Sequence, residues 1–409
     1  MTDISIIFSD ELVQDILVSG DFKDAGLEYV LRQLLRNNGL YFSVSSNFQI
    51  IIHRQPYPGL KHSQITGRVT DKATGEPLEY VNVFIANTFL GAATDIDGNY
   101  TIYNVPVGSF TLVVSMIGYE VQERKIRFTV PTYDRKDFSL EETVEELEEV
   151  VVTAVTPEKW KDYYKEFEKS FIGDSQNARY TKITNPEVLD FDYDEKYKIL
   201  TAKADEALII ENHALGYKIY YSLMEFTKAP RYLAYKGYPR FLDLFPDDLR
   251  EARGWLENRE KTYNGSLRHF LWCLINEDIN DTDFKVKEVI RDNNYYDDLS
   301  LMDITWRRKF FINSLMRGFK ELKKEVNISM MPGEIESERK LKFRNYLKIE
   351  YKYRSNASII GLWGESALLN VKGYMYEPYD LLITGKWGEC RVADLLPFEY
   401  ELKEKTKSN

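Results

Sequence analysis

Histidine is scarce in this chain of 409 residues, which carries only His53, His62, His213 and His269. None of them opens an H-x-x-E or H-E-x-x-H pair. A zinc hydrolase therefore lacks its ligands, since several donors must converge on the metal from short spacings. Cysteine is scarcer still: Cys273 and Cys390 stand far apart with no C-x-x-C. They can pair in an oxidising compartment, but two are too few for a disulfide framework. No apolar run reaches the roughly 18 residues of a membrane-spanning helix. Neither a G-x-x-x-x-G-K-[ST] loop nor a dinucleotide glycine pattern occurs, so nucleotide binding has no support and no cofactor is implied. The opening MTDISIIFSDE lacks the charged and apolar regions of a secretory leader. A basic excess is missing too, and a net charge of −11 argues against nucleic acid as a partner.

What is present is aromatic and β-prone. There are 29 tyrosines and 22 phenylalanines, which lean toward strands and binding surfaces. Hydrophobic residues at 44% and charged residues at 29% are those of a globular protein, and the length implies two to four domains. The charge is uneven. Residues 301–354 hold 14 Lys or Arg against 7 Asp or Glu. A solvated β face accounts for this excess, with anionic headgroups or an acidic partner as the alternative.

From Ile65 to Leu140 short β-rich runs alternate with turn clusters at Asp71–Pro77, Asp95–Asn99 and Pro106–Ser109, the spacing of a small antiparallel sandwich. The phrases Gly67-Arg68-Val69, Gly75-Glu76-Pro77-Leu78, Val81-Asn82-Val83, Thr94-Asp95-Ile96-Asp97-Gly98-Asn99-Tyr100 and Gly118-Tyr119 resemble the carboxypeptidase regulatory-like (transthyretin-like) domain of outer-membrane receptors and their relatives. That resemblance implies a periplasm-facing, outer-membrane-associated mature protein whose precursor carried a signal peptide. In residues 1–54 a strand at Ile4–Phe8, a helical stripe of Leu27, Val30, Leu31, Leu34 and Leu35, and strands at Tyr41–Ser45 and Phe48–His53 predict a β-α-β-β unit. GLEYVLRQLLRNNGLYFSV and QIIIHR resemble the secretin/TonB short N-terminal domain, which implies a protein-contact module.

Beyond the linker Gln55-Pro56-Tyr57-Pro58-Gly59, the expected organisation is an α+β multidomain chain. The sandwich occupies 64–140, and an acidic linker with a TonB-box-like strand occupies 141–156. An α/β region follows at 157–295 and a β-rich region at 296–404. Val150, Val151, Val152 and Thr153 are the candidate partner-binding residues, as an edge strand for a second protein; pairing within the chain is the plainer reading. In receptors with this domain a similar segment leads into a plug and barrel. Here TPEKWKDYYKEFEKSFIGDSQNA follows, an amphipathic helix, and no train of alternating ten-residue strands appears. Further strands are predicted at Lys198–Ala204, Lys218–Phe226, Tyr232–Tyr235, Leu347–Tyr353 and Leu368–Lys372. A helical tract at Asp247–Ile275 is expected to break near Asn264-Gly265. The 157–404 phrases, closing in GKWGECRVADLLPFEYEL, resemble an uncharacterised module that follows this sandwich in envelope proteins.

No catalytic residue emerges. His269 and Cys273 share a helix face, but their Leu and Trp neighbours read as core. Ser266 lacks a nucleophile elbow and reads as a helix N-cap. Asp95-Ile96-Asp97-Gly98-Asn99 lacks the glutamate of a calcium loop and reads as a hairpin turn. Asp190, Asp192 and Asp194 alternate as a solvated strand face does. The expectation is a non-enzymatic binding or assembly factor with an outer-membrane protein or envelope complex as partner. A glycan-binding accessory of nutrient uptake is the alternative, and an enzyme with an unfamiliar carboxylate pair in 157–404 the second.

Overall fold

The structure, a computed structural model, describes residues 62–143, 156–291 and 319–401 apart from 231–232, 277–278, 280–281, 353–356 and 378–379. In the N-terminal segment it describes 6–7, 31, 35, 40–44 and 50–54. The chain forms two compact units, Met1–Lys61 with Pro246–Arg253, and His62–Phe245 with Gly254–Asn409.

In the first unit, β1 (Ile6–Ile7), β2 (Leu40–Val44) and β3 (Ile50–Arg54) make a sheet with β3 in the centre, parallel to β1 and antiparallel to β2. A parallel pair needs a crossover between its strands. Leu31 and Leu35, helical, buried and four residues apart, lie in that crossover.

The second unit opens with a β-sandwich. Its strands are β4 (Ser63–Asp71), β5 (Asn82–Ile85), β6 (Gly91–Ala93), β7 (Asn99–Val105), β8 (Gly108–Ser115), β9 (Gln122–Phe128), β10 (Tyr133–Arg135) and β11 (Phe138–Leu140). One sheet runs β6-β5-β8-β9; in the other β4 pairs with β10, β11 and β7. Alternation sets the core: Ile65 and Val69 of β4, Val83 and Ile85 of β5, and Leu112 and Val114 of β8 point inward and are fully buried. Each such side chain contributes about 1.5–3 kcal/mol. Two glycines of the sequence signature have steric reasons. A Cβ on Gly67 would sit 1.8 Å from the Lys136 carbonyl oxygen, and one on Gly98, which has φ +76°, would sit 2.4 Å from that of Val69.

Next comes α1 (Pro157–Ile172), started by Thr156, whose Oγ1 accepts from the Lys159 amide at 3.4 Å, with Pro157 in the first turn. It lays Phe167 and Phe171 on a sheet of β12 (Thr181–Ile183), β13 (Leu189–Asp194), β14 (Ile199–Ala204), β15 (Leu208–Asn212), β16 (Tyr217–Lys228) and β17 (Leu233–Asp243). Every pairing in this sheet is antiparallel. The α/β expectation for 157–295 is therefore corrected: successive strands are joined by short connections, which antiparallel pairing permits and βαβ crossovers do not. β17 also extends to Asp243, well past the predicted Tyr235.

The helical tract breaks as expected, into α2 (Leu249–Tyr263) and α3 (Leu267–Asn276). The last layer has two antiparallel sheets. One is built from β18 (Phe284–Arg291), β19 (Phe319–Glu321), β22 (Tyr346–Tyr351), β23 (Ser358–Leu362) and β25 (Leu381–Gly385); the other has β20 (Ile328–Pro332), β21 (Glu338–Phe343) and β24 (Ala367–Asn370). Phe270, Leu271 and Cys273 of α3 and Phe284 of β18 belong to this layer's core. A boundary at 295 thus cuts through a packed layer, which starts at α3 because that helix turns its apolar stripe onto the C-terminal sheets.

The segment after β25 ties the layers together. It begins with the short helix α4 (Lys386–Glu389) and runs to Glu401. Trp387 lies in the C-terminal core, Val392 and Ala393 in the core under α1, and Phe398 in the sandwich core. Arg268 of α3 fastens its end, donating to the carbonyls of Pro397, Phe398 and Tyr400 at 2.8 Å each, while the Phe398 amide donates to Asn87 O at 2.8 Å.

Candidate interaction surface

The sandwich is anchored at one end and, across the outer face of β5 and β9, by β17, where Arg240 donates to Asn82 Oδ1 at 3.0 Å and Lys236 pairs with Glu123 at 3.5 Å. Ser109 Oγ at the start of β8 donates to Glu338 Oε1 of β21 at 2.6 Å, and Arg127 near the end of β9 pairs with Glu334 and Glu338. At the turn after β5, the Asn87 amide donates to Pro239 O at 2.6 Å and the Phe241 amide to Thr88 O at 3.0 Å, so this turn adds to the edge of β17.

The opposite end is formed where β4, β6 and β8 finish and β5, β7 and β9 begin; the pairs Asn82–Ala93, Asn82–Ser115 and Arg68–Asn99 fix that correspondence. Three connections there carry large apolar side chains into solvent: Tyr80 is 75% exposed, Ile96 73% and Ile117 66%. Tyr80 also has φ +62°, a left-handed conformation that a bulky side chain adopts only when its surroundings impose it. Here the imposition is visible, because the Tyr80 amide donates to Thr94 O at 3.1 Å and the Val81 amide to Thr94 Oγ1 at 2.9 Å.

The loops of this end are built, not loose. Asp71 Oδ1 accepts from the Ala73 and Thr74 amides at 2.8 and 2.7 Å, and Oδ2 from the Tyr119 hydroxyl at 3.0 Å. The Thr74 amide, set against a smaller cost of burial, holds the Asp71 carboxyl below its usual range, while burial and the Asp71 bond push the Tyr119 phenol up to about 12. Asp95 Oδ1 accepts from the Asp97 and Asn99 amides at 3.1 and 2.8 Å. Glu120 donates its amide to Glu141 O, and Thr143 to Gly118 O, both at 2.9 Å, stitching the Ile117 loop to the chain beyond β11. Preorganised loops of this kind present side chains at low entropic cost.

The residues singled out from sequence fall elsewhere. Val150–Thr153 lie outside the described residues, as does part of the basic stretch 301–354. Within its described part, Lys324 pairs with Glu288 at 3.0 Å, Lys348 with Glu321 at 2.8 Å and Lys352 with Asp283 at 3.4 Å. His269 Nδ1 accepts from the Gly265 amide at 3.0 Å, and its ring packs among Tyr263, Phe284 and Tyr351, while Cys273 is buried in the C-terminal core. Both cysteines are free thiols. Ser266 caps α3, its Oγ accepting from the His269 amide at 3.1 Å. Asp190 and Asp192 are exposed on β13, and Asp194 Oδ1 accepts from the Lys196 and Tyr197 amides. The Asp95–Asn99 turn is no hairpin. It joins β6 of one sheet to β7 of the other, so the chain arches between layers.

Sequence reasoning missed Tyr80, Ile96 and Ile117. The available signal was an apolar residue inside each turn cluster, above all Ile96 in the middle of Asp-Ile-Asp-Gly, where turn chemistry favours small polar groups. Among the described residues no group of three metal-capable side chains converges, and no helix is long and apolar enough to cross a membrane. A recess of about 90 Å³ beside the α2–α3 break, lined by Asn264, Tyr351, Lys386 and Trp387, is well short of the roughly 300 Å³ at which ligand pockets begin.

Comparison with known proteins finds likenesses over parts of the chain. TonB-dependent receptor P39 of Formosa agariphila is 39% identical over 102 residues, which is 24% of this chain and 9% of the receptor's length. Among solved structures, a type II cohesin–X-dockerin complex from Acetivibrio cellulolyticus overlaps 19% of this chain and 52% of its own at 23% identity and a TM-score of 0.16. The pilus 2b backbone protein of group B streptococcus overlaps 31% and 52% at 15% identity and 0.18. The family model of the CarboxypepD_reg-like domain matches residues 65–152, and this chain carries that domain.

Proposed function

We propose that this chain is a non-enzymatic binding or assembly factor of the outer envelope, facing the periplasm and docking to an outer-membrane protein. In this reading the N-terminal β-α-β-β unit is a second contact module of the secretin/TonB type. The observation that carries the proposal is the free end of the sandwich, where Tyr80, Ile96 and Ile117 stand exposed on hydrogen-bonded loops. Exposed apolar side chains on a rigid frame suit protein recognition, with an aromatic anchor at the centre. The likeness of a 102-residue stretch of this chain to a TonB-dependent receptor supports an envelope setting. The exposed Tyr80 ring, a platform on which a sugar can stack, favours glycan binding as the second reading.

Affinity capture of the tagged protein from detergent-solubilised envelopes of its own host, read by mass spectrometry, tests the proposal. A stoichiometric outer-membrane protein in the eluate is the expected result. A clean monomer, together with saturable binding in a glycan screen, transfers the assignment to the second reading.

A further inference from the structure

The reading above leaves the partner's chemistry open. Resting on it, we infer that the free end of the sandwich docks a cationic protein segment that also carries apolar or aromatic side chains. The apolar contacts are Tyr80, Ile96 and Ile117, and acidic groups outnumber basic ones around them. Glu76, Asp95, Asp97, Glu120, Glu141 and Glu142 are exposed on the same loops. The cations engaged at this end are Arg68, whose Nε donates to Asp97 O at 2.9 Å, Lys72, whose Nζ meets Glu141 Oε2 at 2.5 Å, and Lys236, which pairs with Glu123 at 3.5 Å. A merely solvated surface intersperses both signs. An apolar patch inside an acidic rim repels a second copy of itself and anionic headgroups, and it selects a basic segment by complementarity. Carboxylates at the rim steer the encounter, and the three apolar side chains supply the desolvated contact.

The test is fluorescence anisotropy of the full chain with a labelled peptide of about fourteen residues alternating Lys with Leu and Tyr, beside a matched peptide with Glu in place of Lys. The Lys peptide is expected to bind, and to bind about tenfold more weakly when salt rises from about 50 to about 300 mM. The triple variant Asp95→Asn/Asp97→Asn/Glu120→Gln and the pair Tyr80→Ser/Ile96→Ser should each weaken binding about fivefold or more. A control that removes charge from the β13 edge, Asp190→Asn/Asp192→Asn, should change it less than about twofold. Equal binding of the Glu peptide overturns the inference. So does a β13 control that weakens binding as much as the variants at the free end, because the attraction is then only that of an acidic protein for any polycation. The proposed function fails differently: peptide binding at this end with no envelope protein captured leaves the docking chemistry standing and removes the assembly role. Capture of a partner that the free-end variants leave intact does the reverse.

Discussion

Two carboxylates, one buried and one half-buried, are displaced in opposite directions and show what single residues do in this fold. Asp71 ties two loops together through its amide and phenol bonds, and its carboxyl lies below the ordinary value of 3.8. A depressed folded-state pKa gives stability that is present above the unfolded value and lost as pH falls through the folded one. Asp71→Asn should therefore melt below the parent at pH 7, with the gap closing as pH drops beneath about 4, as a pair of pH-dependent melting curves will show. Asp394 behaves oppositely. Burial pushes its carboxyl up although Asn177 and Ser175 donate to Oδ1 at 2.9 and 3.0 Å, and its Oδ2 is buried without a hydrogen-bond partner. A raised carboxyl favours the neutral acid in the fold, so a penalty accumulates as pH rises from 3.8 through the folded value. Asp394→Asn should be neutral or stabilising at pH 7, whereas Asp394→Ala, which strands two donors, should cost about 1–3 kcal/mol in denaturant titrations.

Among the elements, the segment from Lys386 to Glu401 was the least legible in the sequence. Its phrase was visible, but its role depends on Trp387, Val392 and Phe398 each entering a different core, and no local spacing reports which distant layer a side chain will meet. The sandwich was legible for the opposite reason: its glycines and aspartates answer to turns within a few residues of themselves. Even there, the Asp95–Asn99 turn misled, since a turn sequence gives the reversal and not the sheet that the next strand joins. The α2–α3 break at Gly265, with φ +79°, was local and readable, while the full length of β17 came only from its pairing with β16. Tyr80, Ile96 and Ile117 went unread because an exposed apolar residue is ordinary until topology gathers three of them at one end. If the C-terminal segment is the tie that the contacts describe, Phe398→Ala should cost about 3–5 kcal/mol. Arg268→Met, which leaves the carbonyls of Pro397, Phe398 and Tyr400 without their donor, should raise amide exchange in residues 397–401 before it does so in the sandwich strands. Equal exchange across all layers in that variant would show the segment to be a passenger.

At the scale of the whole molecule, a stitched body carries an offered surface. One end of the sandwich is committed inward through Ser109, Arg127 and Phe398, and the other presents exposed apolar side chains within an acidic rim. The measurement that tests this most directly is a paired affinity capture from host envelopes with the parent chain and the variant Tyr80→Ser/Ile96→Ser/Ile117→Ser. The substitutions touch only exposed side chains, so the variant should melt within about 2 °C of the parent. The account predicts that the parent retains a stoichiometric outer-membrane partner and that the variant loses it. Retention of the same partner at the same yield by a well-folded variant would contradict it.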